Sequence, residues 1–154
     1  MERDNIMLKR YNELANWWPL LSPLEEYADE AAFFCDIFAQ AGLPESPSLL
    51  ELGCGGGNNA FYLKQMFAQV TLTDIAHPML AISEALNPEC EHLVGDMRNL
   101  RLGRSFDALF IHDAIDYMKA INPHRWSMSS ISVDYFLVTN GYLYCMIAAS
   151  KQRF

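Results

Sequence analysis

The first 41 residues carry apolar side chains at steps of three and four: Leu8, Tyr11, Leu14, Ala15 and Trp18, then Tyr27, Ala31, Phe34, Ile37 and Phe38. That spacing puts them on one face of a helix, and Pro19 and Pro23 divide the stretch into two helices. Gly42, followed by Pro44 and Pro47, supplies a left-handed stop and then two residues that cannot continue a helix. From Ser48 the pattern changes. Short apolar runs, SLLEL at 48–52, QVTLTD at 69–74, EHLV at 91–94 and FDALFI at 106–111, alternate with helical stretches from about Asn58 to Phe67 and from Pro78 to Leu86. Strand and helix in this alternation predict a mostly parallel sheet covered on both faces. Residues 119–140 show no sustained period, and GYLYCMIAA at 141–149 reads as a buried strand. The gap after residue 112 is long enough for a parallel crossover. As the last strand, 141–149 would expose unpaired backbone, so pairing with a second copy of the chain is expected there.

Composition narrows the class. The chain has 154 residues, 51% hydrophobic and 19% charged, which suits one domain with a sizeable core. The division expected is an N-terminal helical segment at 1–47, a core at 48–118 and an atypical tail at 119–154. A net charge of −8 leaves no basic footprint for a nucleic-acid backbone. The four cysteines, at 35, 54, 90 and 145, lack the paired spacing of a zinc site and are too few to staple the domain. No metal is expected, and the thiols read as reduced, in a cytoplasmic protein. No run approaches the roughly 18 apolar residues of a membrane span, and the N-terminus lacks the apolar centre of a signal peptide.

The chemistry concentrates in LLELGCGGGNNA, 49–60, where Gly53, Gly55, Gly56 and Gly57 stand between a predicted strand and a predicted helix. Glycine there permits positive φ and lets a ligand approach the backbone closely. Asn58 or Asn59 is placed to cap the helix and leave its free N–H groups facing the loop. Asp74 closes the next strand, 17 residues after Gly57, where a carboxylate can accept both hydroxyl protons of a ribose. The pair of signals points to a nucleotide-type ligand. A dinucleotide fingerprint read from Gly53 would require glycine at the position of Asn58, and Glu51, just before the first glycine, would repel a pyrophosphate. The acid suits a ligand carrying an ammonium and a sulfonium.

Glu51-Leu52-Gly53-Cys54-Gly55-Gly56-Gly57 resembles the first motif of the class I S-adenosylmethionine-dependent methyltransferases, an acid followed by G-x-G-x-G. TDIAHPML at 73–80 is similar to the second motif, which implies Asp74 on the ribose and Ile75 and Met79 beside the adenine. VGDMRNL at 94–100 is similar to the third, where Asp96 would accept the adenine amino group and the Met97 backbone would meet the ring. FDALFIHDAIDYM at 106–118 resembles the fourth strand and the loop facing the transferred methyl. The resemblance covers roughly residues 11–118. It implies a Rossmann-like three-layer α/β sandwich, S-adenosylmethionine held by the loop from Glu51 through Gly53, Cys54, Gly55 and Gly57 to Asn58 and Asn59, and a small-molecule methyl acceptor.

His112 and Asp113, with Asp116 and Tyr117 behind them, fall at the carboxyl end of the fourth long strand, where ligands bind in open α/β sheets. His112 and Asp113 are candidates for acceptor contact or proton removal, and His112 also for lining the cofactor. Tyr11, Trp17 and Trp18 resemble an N-terminal helical lid, with Tyr11 toward the cofactor's amino-acid end, although rings at that spacing also pack as core. The family's sheet has seven strands, so 141–149 as the fifth implies a sheet shortened to about five strands, without the last hairpin. Two other functions stay open: a cofactor-binding module without activity, and a nicotinamide-dependent oxidoreductase, which shares the fold but not the glycine spacing.

Overall fold

The computed structural model describes residues 11–114 and 153–154 in full, and the backbone of 135–139, 142–148 and 152. Strands β1 (Ser48–Leu52), β2 (Gln69–Asp74) and β3 (Glu91–Val94) coincide with the runs read from the sequence. Ser105–Phe106 branch off as β4, and the next strand, β5 (Ala108–His112), begins two residues after Phe106. Before the sheet come α1 (Trp18–Leu21), a single turn flanked by 3-10 turns at Ala15–Trp17 and Leu24–Tyr27, and then α2 (Ala28–Gln40). Pro19 sits in the first turn of α1 and does not interrupt it, because the N–H it lacks has no intrahelical partner there. Helix α3 (Asn58–Leu63) tightens into a 3-10 turn at Lys64–Met66, and α4 (His77–Leu86) links β2 to β3.

The main sheet has the order β3-β2-β1-β5-β7-β6, where β6 is Tyr135–Thr139 and β7 is Tyr142–Ala148. Its first four strands are parallel. Strand order turns back between β1 and β5, so the loops after β1, β2, β3 and β5 open at one end of the sheet, on either side of a topological switch point. Both faces are covered. Leu49, Leu72 and Phe110 pack with Phe34 and Phe38 of α2, Leu63 of α3 and Leu80 of α4. On the other face Leu50, Leu52, Leu109 and Ile111 meet Leu100, Phe106 and Phe154. Burial of each such Phe or Leu contributes roughly 1.5–3 kcal/mol, and β1, clamped from both sides, gives the glycine loop a fixed root at Leu52.

The end of the chain departs from expectation. β7 is antiparallel to β5, with Leu109 opposite Ala148 and His112 opposite Cys145, and β6 runs antiparallel along its outer side. The strand expected at 141–149 is therefore neither parallel nor an edge, and the reason for expecting a second copy to pair there falls away. Thr139 pairs with Tyr142 at the end of this ladder. A second pairing joins β4 to β8 (Gln152–Arg153). Residues 1–10 of the expected lid, and the expectations for Asp116 and Tyr117, lie outside the described residues. Among the described residues no helix is long and apolar enough to cross a membrane, no acidic, histidine or cysteine cluster could hold a metal ion, and Cys35, Cys54 and Cys90 are free thiols.

Candidate active site

After Leu52 the chain turns through Gly53 (φ +68°), Gly55 (φ +54°) and Gly57 (φ +77°), a region that residues with a Cβ rarely enter. The glycines differ in what they face. A Cβ at Gly53 would run into Ala114 and Met97, at Gly56 into the Trp18 indole, and at Gly57 into Ser83 and Asn87. These are close approaches of protein to protein. At Gly55 the nearest atom would be the Met79 Cε, at an ordinary 3.7 Å, so this glycine alone of the three with positive φ in the loop has room for a Cβ.

Asp74, at the end of β2, ties that glycine in place. Its Oδ2 accepts the Gly55 N–H at 2.8 Å and its Oδ1 accepts the Ala76 N–H at 2.8 Å. Burial nevertheless pushes its carboxyl above the usual range. Ile75, beside it, is exposed, whereas Met79 is fully buried with Ala15 and Ala76, and Tyr11 and Trp18 pack against that group. The rings of Tyr11 and Trp18 stand 5.8 Å apart.

Glu51 points from β1 into the same region and is only 2% exposed. Its Oε2 is buried without a hydrogen-bond partner. Burial, and then the charge of Asp74, push its carboxyl up to about 8. A buried acceptor left unpaired costs roughly 1–3 kcal/mol, a cost that a cationic donor arriving at the loop removes. An acid with an unpaired oxygen, a glycine at 55 with room above its backbone and a carboxylate at the end of β2 fit S-adenosylmethionine.

Several neighbours act differently from the sequence reading. Neither asparagine caps α3: Gly57 holds the cap position, and no side chain bonds the first turn. Asn58 instead donates from Nδ2 to the Ser22 carbonyl at 2.9 Å, fastening the N-terminal segment to the loop, while Asn59 is buried. The Cys54 side chain turns into the core, within 4.0 Å of the Ser83 hydroxyl, so only its backbone lines the loop, its N–H donating to the Thr73 carbonyl at 3.0 Å. Asp96 is engaged by Arg98, whose Nε lies 2.7 Å from Oδ1, and hydrogen bonding from that guanidinium holds its carboxyl below the usual range. Met97 packs beneath Gly53 against the Leu50 and Leu52 face.

His112 ends β5 and is 8% exposed. Phe110 stacks on its ring at 6.1 Å and Phe34 meets it edge-on at 5.8 Å. Its Nε2 lies 3.0 Å from Glu30 Oε2, and its Nδ1 lies 3.7 Å from Asp113 Oδ2. Asp113 adopts φ +50°, the one positive φ outside glycine among the described residues, and its side chain is exposed. Tyr27, bonded through its hydroxyl to Ser22 Oγ at 2.6 Å, completes the group; burial raises its phenol, and Asp113 and Glu30 add to the rise.

The structure thus brings Glu51, Gly55, Asp74 and Met79 together at one end of the sheet, with His112 and Asp113 at the end of β5. Glu30 was not visible in the sequence, where an acid on a helix reads as solvated. His92 is half-buried and bonds Ser83 Oγ at 3.0 Å and the Cys90 carbonyl at 3.1 Å. Beside it Asn87 donates to the Gly57 carbonyl at 3.0 Å, so the end of α4 braces the glycine loop from behind.

Comparison with known proteins agrees with this geometry. The dTDP-3-amino-3,4,6-trideoxy-α-D-glucopyranose N,N-dimethyltransferase of Streptomyces venezuelae is 30% identical over 96 residues, covering 62% of this chain and 40% of that protein. The trans-aconitate 2-methyltransferase of Enterobacter sp. (strain 638) is 27% identical over 124 residues, 77% of this chain and 49% of that one. The chain spans about half or less of the length of these relatives. The solved structure of S-adenosylmethionine-bound CalS10, an amino pentose methyltransferase from Micromonospora echinaspora, shares the fold with a TM-score of 0.50 at 22% identity, covering 77% of this chain and 61% of that one. The nicotinamide reading finds no support among these proteins. A family model for a methyltransferase domain matches residues 49–128, and the chain belongs to that family.

Proposed function

We propose that the protein binds S-adenosylmethionine over Gly55, between Asp74 and Glu51, and methylates a small amine presented at the His112 end of β5. The observation that carries the reading is the buried, unpartnered Oε2 of Glu51 near the uncrowded backbone of Gly55. When bound, the sulfonium supplies an activated methyl carbon and a neutral thioether leaving group. What remains for the chain is positioning and exclusion of water. Asp74 sits where a ribose diol would share its oxygens with the loop, and Ile75 offers an exposed apolar surface to a base. Glu30, Asp113 and the Tyr27 hydroxyl gather around His112, an acidic setting that favours an acceptor arriving as an ammonium and disfavours an anionic one. The amino-sugar acceptors named for two of the similar proteins support the same choice. The free thiols support a reducing, cytoplasmic setting.

The test combines binding and turnover. S-adenosylhomocysteine at 100 times its Kd adds about 2.7 kcal/mol of stability, a rise of roughly 5–10 °C in melting temperature for a chain of this size. Methyl transfer is then measured with a dTDP-3-amino sugar and with trans-aconitate as acceptors, and the amine is expected to be the better one. Absence of any melting shift overturns the cofactor assignment. A shift without turnover on either acceptor assigns binding alone.

A further inference from the structure

The chain leaves β5 through a turn that few side chains enter. The Ala114 N–H donates to the His112 carbonyl, which closes a three-residue γ-turn around Asp113, and the φ of +50° at Asp113 makes it the rare, strained form of that turn. Glycine enters this region without a Cβ clash. Here a residue with a carboxylate occupies it. The turn ends β5 within one residue and sends its two products apart: Ala114 is buried against Gly53, the first glycine of the loop, and the Asp113 side chain is 59% exposed beside His112.

Strain of this kind persists where the surrounding structure over-determines it, and it gathers at ligand sites. The fixed side of the turn is Ala114, held in the apolar group of Leu52 and Ile111, and the presented side is the carboxylate. The other acids described at this end of the sheet are more covered, with the Glu30 side chain 26% exposed and Glu51 buried. An ammonium approaching from solvent therefore meets Asp113 first, drawn by the charge of the whole acidic group. We propose that Asp113 is a specificity-determining residue for the acceptor: its carboxylate docks the acceptor's ammonium, and the strained turn holds it in register with the cofactor loop. This deepens the amine-methyltransferase reading above and rests on it. The contact is an ion pair in which no bond forms or breaks, and it selects an amine over a neutral hydroxyl at the same position of the acceptor.

The test reads charge and backbone separately, on the whole chain. With S-adenosylhomocysteine saturating, calorimetry compares a dTDP-3-amino sugar with the corresponding dTDP sugar that carries a hydroxyl at carbon 3. The wild type is expected to prefer the amine. Asp113→Asn, which tolerates the same φ, is expected to lose about fivefold of its affinity for the amine, the upper end for an exposed ion pair, and to bind the hydroxyl sugar as the wild type does. Asp113→Glu keeps the charge and should restore part of the preference. Melting of the unliganded chain reads the backbone: Asp113→Gly is expected to melt higher than Asp113→Ala, the reverse of their order at an ordinary position, because only alanine keeps a Cβ at positive φ. Equal affinity of the wild type for both sugars, an undiminished preference in Asp113→Asn, or Asp113→Ala melting as high as Asp113→Gly each overturns this inference alone. A wild type that binds no S-adenosylhomocysteine overturns the proposed function, and this inference with it.

Discussion

Asp74 and Gly55 are joined by a 2.8 Å hydrogen bond across 19 residues of sequence. The carboxylate that the motif assigns to a ribose therefore also shapes the loop, and a ligand must share its oxygens with the backbone. Asp74→Ala removes the acceptor for two buried-side N–H groups, at Gly55 and Ala76, each costing roughly 1–3 kcal/mol when unpaired. The variant is expected to melt several degrees lower than the wild type and to show no further shift with S-adenosylhomocysteine. A ligand-induced shift equal to that of the wild type would falsify the assignment of Asp74 to the site.

Gly55→Val and Gly57→Ala should fail in different ways. Both place a Cβ at positive φ, but the Gly55 one meets only the Met79 Cε, at an ordinary contact distance, whereas the Gly57 one collides with Ser83 and Asn87. Gly55→Val is expected to stay folded, with a strain of about 1–3 kcal/mol, and to lose ligand binding in calorimetry. Gly57→Ala should instead lower the urea midpoint more strongly, because the brace from α4 has to move. Retained affinity in Gly55→Val counts against the cradle.

Glu51 predicts a dependence on pH. Its carboxyl, near 8 when folded against an ordinary value of 4.5, keeps a proton that the unfolded chain has released between those values. The folded state binds more protons in that window, so stability falls as pH rises through it, by at most ~1.4 kcal/mol per pH unit. Urea melts at pH 5 and pH 8 measure the slope, and Glu51→Gln should flatten it. Asp74 is shifted in the same direction, so a residual slope is expected.

The same acid predicts proton release on binding. A cationic ligand favours the ionised form of Glu51, so affinity for S-adenosylmethionine should rise from pH 6 to pH 8. Titrations in two buffers of different ionisation enthalpy should count up to one proton released per site near pH 7, and none in Glu51→Gln. Equal heats in both buffers for the wild type contradict the placement of the cation at this acid.

Trp18 offers an optical probe. Its indole lies against Gly56, with Nε1 buried and without a hydrogen-bond partner. Ligand entering the cradle changes the surroundings of this ring, so S-adenosylhomocysteine is expected to alter the tryptophan emission of the wild type. Trp17 and Trp126 remain in Trp18→Phe, and that variant should bind with little spectral change.

What the sequence discloses, and what it hides, follows from the range of each interaction. β1, β2 and β3 are legible to the residue because strands buried in a parallel sheet are short continuous apolar runs closed by polar or glycine residues, and the motif acids Glu51 and Asp74 are fixed by distance along the chain. Glu30 is not legible: its meaning comes from His112, and an acid on a helix has the same local pattern whether it faces water or an imidazole. Asn58 shows the same limit, since a cap and a tether to Ser22 demand the same residue type. The direction of β7 was recoverable in part. Asn140-Gly141 between two β-rich runs is a hairpin signal, obscured by treating residues 119–140 as one irregular stretch.

The reversal of β7 against β5 carries the last residues to the foot of the sheet. There the Phe154 N–H donates to the Arg104 carbonyl at 2.9 Å and its own oxygen accepts from Arg104 at 3.1 Å. This clasp lies by the start of β5, at the opposite end of the sheet from the glycine turn that follows β1. Hydrogen exchange at the Arg104 and Phe154 amides is therefore expected to report the integrity of the sheet's foot and to change little when ligand fills the cradle.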